Sequence, residues 1–153
     1  MDIRSLFTTA IALLLGLGNA YAGNETYSTV DAAATAALNQ AEGMTDKYEA
    51  GVAIYQCGRS YSFLPPVTDN NKVRVSIPVF DVDGCAVVAL VHTHPKGDAR
   101  FSPTDIASVC KLKTVGYIKP RGGDIRRFDC ATLTAVEVKI ITARQQPISG
   151  DSI

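Results

Sequence analysis

The chain has 153 residues, 46% of them apolar and 20% charged, with 15 basic and 15 acidic side chains. That length bounds the answer at one domain with tails. A formal net charge of zero removes any electrostatic case for nucleic acid or an anionic membrane as a partner.

Residues 1–22, MDIRSLFTTAIALLLGLGNAYA, read as a signal peptide. Arg4 precedes the apolar run AIALLLGLG, and Ala20-Tyr21-Ala22 closes it with the small-x-small pattern of a cleavage site. The run is too short to span a bilayer. Cleavage after Ala22 starts the mature chain at Gly23 and places it in the periplasm or outside the cell, with no membrane association thereafter. Four cysteines remain, Cys57, Cys85, Cys110 and Cys130, and none form a C-x-x-C. That spacing removes zinc-knuckle and thioredoxin readings. In an oxidising compartment two disulfides are expected, with three possible connectivities.

After a loose start at 23–27, the stretch STVDAAATAALNQAEG predicts a helix, with Ser28 as N-cap, Asp31 three residues on, and Gly43 as its end. Glu49 to Cys57 is expected to be a strand. A turn at Gly58-Arg59 leads to a second strand stopped by Pro65-Pro66. TDNN reads as a loop, and KVRVSIPVF, residues 72–80, alternates as a third strand before the turn signal DVDG. Cys85 to Pro95 is a near-continuous apolar run, as in a central strand buried on both faces. KGDARF is a loop. SPTDIASVCKL then starts a helix with Ser102 at the N-cap, Pro103 at the first position and Asp105 in the first turn. A hairpin around Arg121-Gly122-Gly123-Asp124 and a last strand, TAVEVKIIT, complete the order. The expectation is one α/β (α+β) domain over 23–142, its mixed, mostly antiparallel sheet flanked by helices, with a flexible tail at 143–153.

The chain's two histidines, His92 and His94, stand two apart near the end of the buried strand. Alternation puts both on one face, roughly 6–7 Å apart along the chain at about 3.3 Å per residue. Two imidazoles so placed can ligate one metal, and Asp105 on the next helix is the natural third ligand. Two nitrogens and a carboxylate suit zinc, whose catalytic sites keep a fourth position for water. A hydrolytic site also needs a base. The chain offers four glutamates. Glu25 lies in the loose start, Glu42 in a helix-ending turn, and Glu137 alternates with valines as a solvent-facing strand residue. Glu49 opens a strand. If that strand runs antiparallel to the histidine strand, its start lies beside His92 and His94.

HTHP, six residues, then SPTD resembles the H-[ST]-H-P-x(6)-S-x-x-D signature of the JAB/JAMM (MPN) metalloprotease family, with an upstream glutamate in EAGVAIY. Within that superfamily the chain looks like a bacterial JAMM-like domain of unassigned function that often occurs in secreted or toxin-associated proteins. The resemblance implies one Zn2+ held by His92, His94 and Asp105, with water as fourth ligand. It implies Glu49 as the proton-transferring base and Ser102 as a hydrogen-bond donor to the tetrahedral oxyanion. There is no HExxH helix, and no HxE with PCxxC, which removes a zinc deaminase. The domain lacks insertions of the kind eukaryotic relatives use to grip ubiquitin. The implied activity is therefore hydrolysis of a peptide or isopeptide bond in a peptide or protein substrate. A non-catalytic zinc-holding adaptor, a toxin–immunity module and a peptidoglycan amidase are the alternatives. If antiparallel strands bring Glu49 to His92, they also bring Cys57 near Cys85, while the hairpin brings Cys130 near the helix of Cys110. Those two pairs are the expected disulfides.

Overall fold

The computed structural model describes residues 25–132 and the backbone of 139–141. The expected signal peptide, the new N-terminus at Gly23, the tail at 143–153, and residues 134–138 and 142 of the expected last strand lie outside the described residues.

Helix α1 (Val30–Met44) is capped by Thr29, whose hydroxyl accepts from the Ala32 N–H at 3.1 Å. The cap is therefore one residue later than Ser28. Tyr27 is drawn into a backbone bridge with Tyr61 (2.9 Å in both directions), which holds the chain extended until Thr29. Asp31 does not close a capping box; its carboxylate accepts from the Tyr117 hydroxyl instead. Gly43 lies inside the last turn, and the helix ends at Met44 with extended Thr45. Five alanines and Leu38 on the buried face let the helix lie close on the sheet.

The sheet runs β2 (Ser60–Phe63), β1 (Ala50–Cys57), β4 (Cys85–His94), β5 (Val115–Pro120), β6 (Ile125–Asp129), β7 (Lys139–Ile141), and β3 (Val67–Thr68) pairs with β1 beside β2. Among the described strands only β4 and β5 pair in parallel, and α2 (Pro103–Lys111) connects them. The result is the mixed, mostly antiparallel α+β sheet expected. Glu49 immediately precedes β1, and β1 runs antiparallel to β4 with Gly51 opposite His92. No helix among the described residues is long and apolar enough to cross a membrane.

Residues 72–80 form no strand. Both neighbours of β1 and of β4 are already in place, so the segment has no central edge to join. It crosses the sheet as a strap. The Ser76 N–H donates to Asp69 Oδ2 at 2.8 Å, and the Phe80 N–H donates to the Tyr55 hydroxyl at 2.9 Å. Its alternation still has a use, because Ile77 and, just beyond, Val82 pack on the sheet while Val73, Val79 and Phe80 stay exposed.

The apolar interior is divided by the sheet. One cluster joins α1 to Val52, Ile54, Ala89, Val91 and Tyr117. The other joins α2 and the strap to Ala53, Tyr55, Leu90, Ile118 and Phe128. Along β4 the two sets do not follow one parity. Val87 and Leu90 share the α2 side, and Val88 and Ala89 the α1 side. The cause is a bulge: Tyr55 pairs with Val87 but Ile54 with Ala89, leaving Val88 unpaired. The extra residue shifts the phase, so Leu90, His92 and His94 join Cys85 and Val87 on the α2 side.

Cys57 is bonded to Cys85 and Cys110 to Cys130, with Cα separations of 4.3 and 5.2 Å. The first closes the far end of the β1–β4 ladder. The second ties the end of α2 to the end of β6.

Candidate metal centre

The parallel β4–α2–β5 unit brings the C-terminal end of β4 against the N-terminus of α2. That is the end at which open α/β arrangements form crevices. His92 and His94 project there from β4, and Asp105 from the first turn of α2. The Nε2 atoms of His92 and His94 are 2.9 Å apart. Asp105 places Oδ1 3.3 Å from His92 Nε2 and Oδ2 3.7 Å from His94 Nε2. Donors bound at about 2.0–2.1 Å in a tetrahedral shell stand about 3.3 Å from one another. The three donor groups are thus close to that spacing, and together they could hold a metal ion.

His94 Nδ1 lies 2.7 Å from the Asp98 carbonyl oxygen, so Nδ1 carries the proton and Nε2 presents its lone pair to the centre. Gly97 makes this possible. Its φ of +80° lets the chain fold back so that its N–H meets the His94 carbonyl at 3.0 Å, and Asp98 then faces the ring. Asp105 is fixed by the capping box: Ser102 Oγ accepts from the Asp105 N–H at 3.1 Å, and the Ser102 N–H donates to Asp105 Oδ2 at 2.7 Å. The cap and the candidate ligand are one group, because the carboxylate that caps the helix is the one turned toward the imidazoles.

The HTHP and SPTD segments, the strand-borne histidines and the capped helix converge on one assignment. A model of the family described as prokaryotic homologs of the JAB domain matches residues 20–131. The chain belongs to the prokaryotic JAB family. No curated protein and no solved structure matches it. The JAB fold family includes metalloproteases, and this JAB domain has the donor set for a metal.

Glu49 and Ser102 line the same cavity as His94 and Asp105, a space of about 430 Å³. Glu49 is 6% exposed, beside His92 at 7% and His94 at 8%. Its backbone is clamped on both sides: its N–H donates to the Asn71 carbonyl at 2.8 Å, and its carbonyl accepts from the Thr68 hydroxyl at 2.7 Å. Burial raises its carboxyl above the ordinary carboxylate range, and His92 and His94 offset only part of that. Burial would lower His94, but the Asp105 carboxylate and the Asp98 carbonyl outweigh it and raise the imidazole. Burial would raise Asp105, yet the two imidazoles hold its carboxyl well below the usual range. The other described glutamates are engaged elsewhere: Glu25 accepts from the Tyr27 hydroxyl at 2.6 Å, and Glu42 pairs with Lys119 at 2.5 Å. Glu137 lies outside the described residues.

Several contributors to this JAB site carry no residue-level signal in isolation. Gly51 is one. A Cβ there would stand 2.5 Å from the Val91 carbonyl oxygen and 2.8 Å from His92 Cβ, so only glycine lets β1 pass the histidine. Thr93 is another. Its hydroxyl accepts from the Ala50 N–H at 3.1 Å and fixes the site end of the ladder. The Asp98 carbonyl orients His94 through backbone alone. Each acts through geometry that a residue type does not encode.

Proposed function

We propose that this JAB domain is an exported zinc-dependent hydrolase of peptide or isopeptide bonds. The observation that carries the proposal is the convergence of His92, His94 and Asp105 beside a cavity lined by His94, Asp105 and Glu49. A bound zinc would supply Lewis acidity and a water of pKa about 7. Glu49, buried beside the donor set with its carboxyl raised, would take a proton from the attacking water and return it to the leaving amine. The Ser102 hydroxyl accepts the Asp105 N–H with a lone pair, which leaves its own proton free to donate to the oxyanion. His94 stays in one tautomer because Asp98 holds its Nδ1 proton. Zinc is the favoured metal because the donor set is two imidazoles and one carboxylate. Export rests on the leader pattern of residues 1–22 and on two disulfides, which suit an oxidising compartment. The partner is a peptide or protein substrate.

The test is a mass-spectrometric search for cleaved peptides with wild-type protein and two variants. Glu49→Gln is expected to retain zinc and lose about 10²–10⁴ of turnover. Ser102→Ala is expected to lose about 10²–10³ in kcat. Full activity in Glu49→Gln removes that residue from the role of base. N-terminal sequencing of the exported protein is expected to begin at Gly23.

A further inference from the structure

Six charged side chains line the cavity: Glu49, Asp98, Asp105, Lys72, Lys96 and Arg100. Four of them are accounted for. Arg100 is bound to Asp98 through both Nε (3.1 Å) and Nη2 (3.2 Å), and that pair cancels itself. Asp105 and Glu49 face the candidate metal centre, where a divalent cation would balance two carboxylates. Lys72 and Lys96 remain; neither stands within ion-pair distance of an acid among the described residues, although Lys96 is near enough to Glu49 to favour its carboxylate.

A surface lysine usually means only a solvated chain, so the placement of these two decides the matter. Lys72 follows Asn71, whose carbonyl accepts the Glu49 N–H at 2.8 Å. Lys96 lies inside the turn closed by the Gly97 N–H on the His94 carbonyl at 3.0 Å. Each lysine is thus carried on backbone that is hydrogen-bonded to a site residue. They also rise from different segments, the strap and the loop after β4, so they stand on separate parts of one cavity's lining. The six charged side chains balance by themselves, so a divalent cation at the centre would leave the cavity with an excess of two positive charges beside the place where an amide would sit. Its volume of about 430 Å³ is that of a site for a small ligand or a short stretch of chain, not a folded domain. The complementary group must therefore belong to the substrate close to its scissile bond.

We propose that the substrate of this JAB domain is a peptide bearing a free carboxylate next to the scissile amide, held by Lys72 and Lys96. The inference rests on the hydrolase reading above. The carboxylate can come from an acidic side chain or from a chain's α-carboxyl end, which present the same chemistry to a lysine.

The experiment measures binding by calorimetry to zinc-loaded Glu49→Gln protein, so that nothing is consumed. The probes are acetyl-Ala-Glu-amide, acetyl-Ala-Gln with a free C-terminus, and the neutral acetyl-Ala-Gln-amide. At least one anionic peptide is expected to bind about tenfold or more tightly than the neutral one, as charge-assisted hydrogen bonds allow. Lys72→Gln with Lys96→Gln should erase that preference, and Lys72→Arg with Lys96→Arg should restore it. Which anionic peptide wins identifies the source of the carboxylate. Equal binding of all three, including no binding, overturns the proposal. So does a preference that survives the glutamine pair, since the carboxylate would then be held by the metal. Wild-type turnover of the same peptides separates the two readings. Selective binding without cleavage removes the hydrolase and leaves the carboxylate site. Cleavage of neutral and acidic peptides alike removes the carboxylate site and leaves the hydrolase.

Discussion

The two helices cover opposite faces of one sheet by different means. Helix α1 buries seven residues, most of them alanines, in close contact with the sheet. Helix α2 buries one, Val109. Yet α2 carries the metal-ligand candidate and α1 carries none. A helix that must leave a cavity in front of its first turn cannot bury that turn, so packing is replaced by other restraints. The capping box fixes its start, and the Cys110–Cys130 bond fixes its end. The α1 side is held by close helix packing alone, whereas the α2 side, which carries the candidate metal ligands, holds both disulfides beside its apolar cluster.

The sharpest way to break this division is Leu38→Ala on the α1 side. It should lower unfolding free energy by about 2–5 kcal/mol, as for a buried leucine elsewhere. Denaturant titration measures the loss, and metal analysis of the folded fraction should show zinc stoichiometry unchanged. Loss of zinc in folded molecules would show that the two faces are not separable. On the α2 side, Cys110→Ser with Cys130→Ser opens a bridge between residues 20 apart and should cost about 3 kcal/mol. Removal of Cys57–Cys85, 28 apart, should cost about as much. The two differ in zinc affinity, measured by competition with a chelator: loss of the first should weaken it more, because Cys110 shares a helix with Asp105. Equal weakening would mean that the cap alone positions α2.

A smaller effect is expected at Gly51. An added methyl meets backbone at 2.5 Å, so Gly51→Ala should destabilise by about 1–3 kcal/mol and displace His92. Thermal melts with and without zinc test this, with the zinc-induced rise in Tm expected to shrink. The smallest effect is the pH dependence of the chelator-treated protein. His94 and Glu49 are both raised on folding, so their contributions are complete below the ordinary values of 6.5 and 4.5 and are lost as pH rises through the folded values. Asp105 is lowered, so its contribution is present above its ordinary 3.8 and is lost only in strong acid. The metal-free protein should therefore melt highest near pH 5 and lower at pH 8. Zinc should reverse the slope, because protons compete for the same donors.

Local signals made much of the site legible in the sequence. Two histidines at strand spacing and a Ser-Pro-x-Asp helix start each act within a few residues, and the structure joins them through one short connection. The antiparallel β1–β4 ladder was also within reach, because each strand is a clear apolar run. Three features were not. The bulge at Val88 alters which parity of β4 faces the site, and no residue type announces it. Residues 72–80 have a strand's alternation but no edge to pair with, a fact set by strands far away in sequence. Gly51 is needed because of its neighbours Val91 and His92, not because of any turn. What was hidden is non-local, and it includes the strap that carries Lys72.

The central claim is that His92, His94 and Asp105 hold one zinc. Native mass spectrometry of the mature protein, refolded with its disulfides in limiting zinc, tests it most directly. The account predicts one zinc per wild-type chain and none on His94→Ala, with both proteins folded. A folded wild type without zinc, or a His94→Ala protein that keeps it, would contradict the account.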